Sequence, residues 1–281
     1  MQQRIDTKEK TARYAFDSLR EITDYIAATP ETWTYRNSHE NDADQSWDLG
    51  AGWKGALNMS RHGWLEGAKR TQDTLKVFRP NASVMATRND FYGYRPNVPR
   101  YIAGAPDNMI RHATQETPAP ALTIIVPVCA NAGTGAEHMA NLGVGLVQLI
   151  RQMESSGTRC EVYGAFTAEI SGWRVTSSWL IKRANQPLDL AVLAFAIGHP
   201  AMLRRLCLAL IERCPARETS SYGQASNTLV EDCVNLPPRA IVVNGMQDAN
   251  NIAKTPEAAL EYLRGAVADA AKGLKITVEG I

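Results

Sequence analysis

The fold prediction starts from residues 121–157, which read ALTIIVPVCANAGTGAEHMANLGVGLVQLIRQMESSG. The run ALTIIVPV is continuously apolar, which is typical of a parallel strand covered on both faces. A turn of small residues follows. An amphipathic helix then ends at Gly157, where a glycine suits the position just past a helix. A strand, a turn and a helix in this order indicate the first unit of an α/β sheet.

The same alternation continues to residue 281. TRCEVYGAFTAEI and GWRVTSSWLIKRA predict two strands joined by a hairpin at Ser171-Gly172. LDLAVLAFAIGHPAMLRRLCLALIERC predicts two helices interrupted near His199. RAIVVNGMQDA predicts a buried strand with its exit loop, TPEAALEYLRGAVADAAKG a helix, and LKITVEGI a last strand. Residues 119–281 are therefore predicted to form a three-layer α/β domain with a mostly parallel sheet.

Residues 1–118 are predicted to form a separate helical and loop-rich segment. From Lys8 to Ala28 the apolar residues are spaced by three and four, which predicts an amphipathic helix. WKGALNMSRHGWLEGAKRTQ predicts a short helix broken near Gly63. Prolines and aromatic residues between Val77 and Pro120 favour short strands and loops, and TQETPAPA is typical of a linker.

Composition limits the classes of protein to consider. The chain has 281 residues, is 44% hydrophobic and carries a formal charge of +1, so it can bury a core and is not polybasic overall. Residues 51–120 carry ten Lys/Arg against five Asp/Glu, a net charge of +5 that hints at an anionic partner. Five cysteines without C-x-x-C spacing predict buried reduced thiols rather than a zinc site. With a polar N-terminus and no apolar run of about 18 residues, we expect a cytoplasmic protein that does not contact a membrane.

Two exit loops are candidates for ligand binding, because ligands of open α/β sheets lie beyond the carboxyl ends of the strands. They are PVCANAGTG and VVNGMQDAN. The first contains Gly133 and Gly135 but lacks the third glycine of a dinucleotide-binding turn, and no Gly-Lys-Ser/Thr follows. The sequence therefore predicts no nucleotide cofactor.

The order of elements in residues 119–281 resembles the von Willebrand factor A-like fold, a relative of Rossmann-like sheets. In that family the first loop usually carries D-x-S-x-S and a later strand ends in Asp-Gly, and together they hold a divalent ion. Here Cys129, Asn131 and Gly133 occupy the first set of positions, and Asn244 stands in place of the later Asp. The remaining oxygen ligands, Asn131, Asn244 and Asp248, form a degenerate metal site that we expect to be empty.

Two stretches, RHGWLEGAKR and LDLAVLAFAIGHPAMLRRLCLALIE, are similar to a group of tailed-phage proteins. This resemblance implies a bacteriophage protein with a degenerate A-like domain and no assigned reaction. It places the protein in the host cytoplasm and leaves association with the virion open.

Residues suited to enzymatic catalysis are few. His138 lies on a predicted helix and His199 precedes a proline, and neither has an orienting partner visible in the sequence. A nucleophile turn of the G-x-S-x-G type is absent. Arg204-Arg205 could bind phosphate, but a solvated helix face is the favoured interpretation. The protein is therefore predicted not to be an enzyme.

The middle segment has the composition of a surface for single-stranded nucleic acid. Such surfaces combine cations that contact phosphates with rings that stack on bases. An ordinary loop-rich subdomain with an aromatic core would have the same composition. The candidate nucleic-acid-binding residues are Arg88, Phe91, Tyr92, Tyr94, Arg95, Arg100 and Tyr101.

Three functions remain, of different classes. The first is a non-enzymatic protein-interaction module of a phage, built on an A-like domain without its ion. The second is a single-stranded DNA-binding factor that supports phage transcription or replication. The third is a divalent-metal-dependent binding domain. A protein partner is expected first and single-stranded nucleic acid second, and a homo-oligomer is left open.

Overall fold

The computed structural model describes residues 1–33, 46–74, 87–93, 95–112, 121–216, 222, 224–225, 232–233, 236–237 and 240–274. The strands are β1 (Gln2–Asp6), β2 (Thr11–Phe16), β3 (Thr87–Asp90), β4 (Arg95–Pro96), β5 (Met109–His112), β6 (Ala121–Pro127), β7 (Arg159–Ile170), β8 (Trp173–Lys182), β9 (Gln224–Ala225) and β10 (Ala240–Val242). The α-helices are α1 (Leu19–Ala28), α2 (Gly52–His62), α3 (Leu65–Thr74), α4 (Val98–Ile102), α5 (Ala136–Ser155), α6 (Leu190–Gly198), α7 (Leu208–Ile211), α8 (Ala249–Ile252) and α9 (Pro256–Leu274). A π-helix covers Met202–Cys207, and a 3₁₀ turn covers Met246–Asp248.

The main sheet is mixed. Its strands follow the order β1-β2-β8-β7-β6-β10, and β9 pairs with the far end of β7. The pairs β10–β6, β6–β7 and β2–β8 are parallel. The pairs β1–β2, β7–β8 and β7–β9 are antiparallel. The prediction of an α/β fold is confirmed, but a three-layer arrangement with a mostly parallel sheet is not, because three of the six strand pairs of this sheet among the described residues are antiparallel.

One face of the sheet carries the main core. Leu122, Ile124 and Val126 of β6 pack there with buried residues of α1, α2, α5, α6 and α9. On the opposite face, Ile125 belongs to a second, small cluster with Cys233. Alternate residues of one strand thus enter two cores, as the pleat of a strand requires.

The N-terminal residues contribute strands to the main sheet. Thr11–Phe16 form β2, which pairs with β8, so the prediction of a helix from Lys8 was wrong for its first half. The helix α1 begins only at Leu19, after Ser18 caps it by accepting a hydrogen bond from Glu21 N (3.3 Å). Strands from both sides of the predicted domain boundary at residues 118/119 therefore share one sheet.

Three local predictions are confirmed by backbone geometry. Gly63 separates α2 from α3 with φ +75°, a value that favours glycine. Ser171 and Gly172 have φ +50° and +75°, as a two-residue hairpin turn between β7 and β8 requires. The helix α6 ends at Gly198, immediately before His199-Pro200.

A small three-stranded sheet of order β3-β5-β4 is formed by the middle segment, with α4 directly after β4. The predicted short strands are confirmed here. The predicted linker lies almost wholly outside the described residues, as does the predicted last strand.

Within the described ranges, no single helix is long and apolar enough to cross a membrane. The helix α6 and residues Met202–Ile211 satisfy that test only as a pair, with a bend of 58° between them.

Candidate functional site

The exit loops of β6 and β10 lie side by side at the carboxyl edge of the main sheet. The two strands are adjacent and parallel, with Ile124 opposite Ile241, so their exit loops leave the sheet at the same edge. Asn131, Asn244 and Asp248 are all exposed in these loops. The described residues contain no cluster of three or more His, Cys, Asp or Glu side chains that could hold a metal ion. The degenerate site, which has one carboxylate and two amides, stays a prediction.

A residue that the sequence did not single out, Asn250, occupies this edge. Its Oδ1 accepts a hydrogen bond from Gly135 N (2.7 Å) and lies 2.9 Å from His138 Nδ1. Its Nδ2 donates to Gly133 O (3.0 Å). The side chain of Asn250, from the loop after β10, thus spans residues 133–135 before α5, which we call the glycine turn. The Gly135 amide, which an anionic ligand would need, is already bonded within the protein.

The same loop is fixed to α5 one turn further along. Asn141 Nδ2 donates to Ala253 O and Lys254 O, both at 3.1 Å. The paired asparagines hold the loop after β10 against the helix after β6. The turn therefore has a structural role, and its polar groups largely form hydrogen bonds within the protein.

Behind the turn lies a buried pair of arginines on the π-helix. Arg204 and Arg205 are 6% and 4% exposed, so the interpretation as a solvated helix face was wrong. Arg205 Nε donates to Asp48 Oδ2 (2.7 Å), and both side chains are buried. Arg204 donates to Trp47 O and Thr134 O, and its guanidinium lies over the Trp47 ring, 4.6 Å from the centroid. Both cations therefore hold residues 47–48 and the glycine turn in place.

The reason for this burial was visible in the sequence. The stretch LDLAVLAFAIGHPAMLRRLCLALIE is apolar around its whole circumference, and a helix of that kind is normally enclosed by the protein. A charged pair within it had to find partners away from solvent. Asp48, however, lies 157 residues from Arg205 in the chain, and no pattern connects them.

His199 is buried beside this arginine pair. Its Nδ1 accepts a hydrogen bond from Ala201 N (3.1 Å), and its ring meets Trp64 edge-on at 4.8 Å between centroids. Burial lowers the pKa of His199 to about 4, and the charge of Asp48 acts in the opposite direction. His199 is therefore neutral at pH 7 and is part of the packing of α6.

The thiols and histidines do not form a catalytic arrangement in the described part of the chain. All five cysteines are unpaired and buried, which confirms the prediction of buried thiols. Burial raises the pKa of Cys160 and of Cys233 to about 12, so both remain protonated. The ring nitrogens of His138 and His199 that have partners contact Asn250 and the Ala201 amide instead of a nucleophile.

A groove of about 760 Å³ lies where β8 leads into α6. Its wall includes Lys182, whose ammonium lies 2.5 Å from Glu154 Oε1 and donates to Cys160 O and Arg183 O. All three donors of the lysine are therefore engaged inside the protein.

The small β3-β5-β4 unit exposes a group of large apolar side chains, which we call the α4 patch. Two lie in the turn after β3 and three lie on α4. Between 57% and 79% of each residue is accessible to solvent. The members of the α4 patch are Phe91, Tyr92, Val98, Tyr101 and Ile102.

The predicted nucleic-acid-binding residues fall on this unit. Phe91, Tyr92 and Tyr101 are exposed, and Arg95 is exposed beside them. Arg100 instead pairs with Asp107, with Nη2 2.5 Å from Oδ1, and this contact lowers the pKa of the Asp107 carboxyl. Tyr94 and the side chain of Arg88 lie outside the described residues. Nucleic-acid binding stays a prediction, supported by three rings and one exposed arginine.

A family model covers most of the chain. Residues 3–268 match a domain of unknown function (DUF7192). No curated protein and no solved structure is significantly similar to the chain.

Proposed function

The chain belongs to the DUF7192 family, and we propose that this member is a non-enzymatic protein-interaction module that binds its partner through the α4 patch. The exposure of the α4 patch is the observation that carries this proposal. Contiguous exposed apolar surface on a protein marks an interaction site. Val98 and Ile102 are four residues apart on α4, so they lie on the same face of that helix.

The chemistry of the patch favours a protein over a nucleic acid. Aliphatic side chains such as Val98 and Ile102 bury well in a protein interface but offer no flat ring on which a base could stack. The pairing of Arg100 with Asp107 also occupies a cation that would otherwise contact a phosphate. Both points support a partner with a complementary apolar surface.

We further propose an A-like arrangement, with its ion site lost, for residues 119–281. Its support is the order of elements: β6, α5, the β7–β8 hairpin, α6 and then β10. The glycine turn beyond β6 is bonded to Asn250, where the resemblance would place an ion. The similarity of two stretches to tailed-phage proteins supports a phage origin. In this proposal the α/β body is a scaffold and the α4 patch makes the contact.

The experiment compares wild type with Val98→Ser/Ile102→Ser in affinity purification from cells in which the protein is naturally made. Leu65→Ser is the matched control, because Leu65 is also a highly exposed apolar residue but lies on α3. We expect one protein to be recovered in near-stoichiometric amount with wild type and the control and to be lost with the double variant. Equal recovery with all three proteins would refute the assignment of the patch.

Binding of single-stranded DNA is the second candidate, favoured by the rings of Phe91, Tyr92 and Tyr101. Removing one stacking ring should cost ~1–3 kcal/mol of binding, whereas Val98→Ser/Ile102→Ser should leave DNA binding unchanged. Fluorescence anisotropy of a labelled oligonucleotide with Phe91→Ala and Tyr101→Ala separates the two candidates. An absence of binding at ~50 mM salt, where phosphate contacts are strong, would exclude this candidate.

A further inference from the structure

Strand β1 forms one edge of the main sheet among the described strands. Its inner side pairs with β2, and among the described strands none pairs with its outer side. All of its residues, Gln2–Asp6, are exposed. Ile5, a large aliphatic residue, is 45% exposed. The outer backbone groups of such an edge form a template for another strand.

One charged residue of β1, Arg4, faces a like charge. Arg4 lies directly opposite Arg13 of β2, so two like charges face one another across the ladder. Arg13 reaches Asp232 at 4.0 Å, but within the described residues no carboxylate pairs with Arg4. On the same strand, Asp6 Oδ1 accepts hydrogen bonds from Lys8 N and Glu9 N, and these bonds leave its other carboxylate oxygen available.

We propose that β1 pairs antiparallel with β1 of a second copy of this chain, with Ile5 on the twofold axis. In this register Ile5 lies opposite Ile5 of the second copy. Arg4 then lies opposite Asp6 of the second copy, and the symmetry repeats the ion pair on the other side of the axis. One apolar contact and two charge pairs thus form between identical five-residue strands.

Other symmetric registers lack this complementarity. A twofold axis at Arg4 would place two arginines directly opposite one another, which is unfavourable. An axis at Gln3 would place Arg4 opposite Gln2 and would leave Asp6 without a basic partner. The charges therefore select the register centred on Ile5, and the two seven-stranded sheets join into one continuous sheet.

Cysteine trapping tests the register directly. All five native cysteines are buried, so Ile5→Cys introduces a single exposed thiol. Residues opposite one another in paired strands have Cα atoms ~4.5–5.5 Å apart, within the range that a disulfide spans. We expect Ile5→Cys to form a covalent dimer on mild oxidation, and we expect Gln3→Cys not to, because two Gln3 positions would be about four residues apart along the strands. Equal trapping at both positions, or none at Ile5→Cys, would overturn the proposal.

Sedimentation equilibrium tests the charge pairing. Arg4→Glu places two carboxylates opposite one another at each end of the interface, and the dimer dissociation constant should rise about tenfold or more. Arg20→Glu, on an exposed position of α1, makes the same change in net charge and should leave the constant unchanged. A wild-type protein that stays monomeric at all concentrations, with normal circular dichroism, would refute the dimer.

Discussion

Gly143 of α5 and Gly198 of α6 bring the backbones of the two helices into direct contact. A Cβ atom added at Gly198 would lie 2.7 Å from Gly143 Cα, closer than real Cβ atoms approach. The contact packs α6 against α5, and it thereby positions His199 and the π-helix, which follow α6 in the chain.

Gly143→Ala should therefore destabilise the protein by about 2 kcal/mol or more, because the added methyl must push two packed backbones apart. Gly265→Ala is the control, since Gly265 lies inside α9 with no atom near its added Cβ. There, higher helix propensity should stabilise the protein by roughly 0.5–1 kcal/mol. Urea unfolding monitored by circular dichroism gives both values. Equal effects of the two substitutions would contradict the close contact.

Asp48 and Arg205 form a buried ion pair, so we expect substitutions of the two residues to have strongly non-additive effects on stability. Asp48→Ala removes a hydrogen-bonded carboxylate from the buried guanidinium of Arg205 and the acceptor of Gly52 N, and it should cost about 3–5 kcal/mol of stability. Asp48→Leu/Arg205→Met removes both charges and should cost clearly less than Asp48→Ala. Denaturant unfolding of the single and double variants measures the difference. A double variant less stable than Asp48→Ala would show that the pair is not buried as a unit.

His199 predicts a loss of stability in acid. Its pKa in the folded protein, about 4, lies below the ordinary value of 6.5, so the unfolded chain binds a proton more readily between these values. Stability should be complete above pH 6.5 and fall by up to about 3 kcal/mol as the pH decreases to 4.

His199→Asn removes this titration and offers an oxygen that can accept from Ala201 N in place of Nδ1. Its unfolding free energy should depend less steeply on pH than that of wild type. His62→Asn, at an exposed helix end, is the control and should keep the wild-type slope. Parallel pH profiles for wild type and His199→Asn would contradict the prediction.

Asn250 predicts a local effect at the glycine turn. Asn250→Ala removes the acceptor of Gly135 N and the donor to Gly133 O, and it should cost about 1–2 kcal/mol. Hydrogen exchange of the Gly135 amide should accelerate in this variant. Asn251→Ala changes a neighbouring exposed residue and should leave both measurements at their wild-type values. Unchanged protection of Gly135 in Asn250→Ala would show that the side chain does not hold the turn.

The sequence predicted the elements of residues 121–274 well because their hydrophobic patterns are strong and the residues that end them are clear. The apolar run of β6, the Ser171-Gly172 hairpin and the break at His199-Pro200 each have a local physical cause. No distant contact was needed to recognise them.

Strand β2 was missed because a distant contact decides its structure. Ala12, Ala15, Phe16 and Leu19 fit helical spacing, while Ala12, Tyr14 and Phe16 fit the alternation of a strand. Pairing with β8 favours the strand over the helix. Strand β8 lies far along the chain and supplies the hydrogen bonds of a parallel pair. The partners of Asn250 and of the buried arginines escaped prediction in the same way, since they lie 70 to 157 residues away in the chain.

The pairing of β2 with β8 also sets the order of events while the ribosome makes the chain. Roughly 160 residues separate Thr11 from its partner Arg174. At ~5–20 residues per second, the N-terminal hairpin waits about 8–30 seconds after its own synthesis before β8 exists. During that interval the apolar faces of Tyr14 and Phe16 have no sheet to join, so they are accessible to chaperones. A segment made before β8 thus reaches its native place only after β8 has been made.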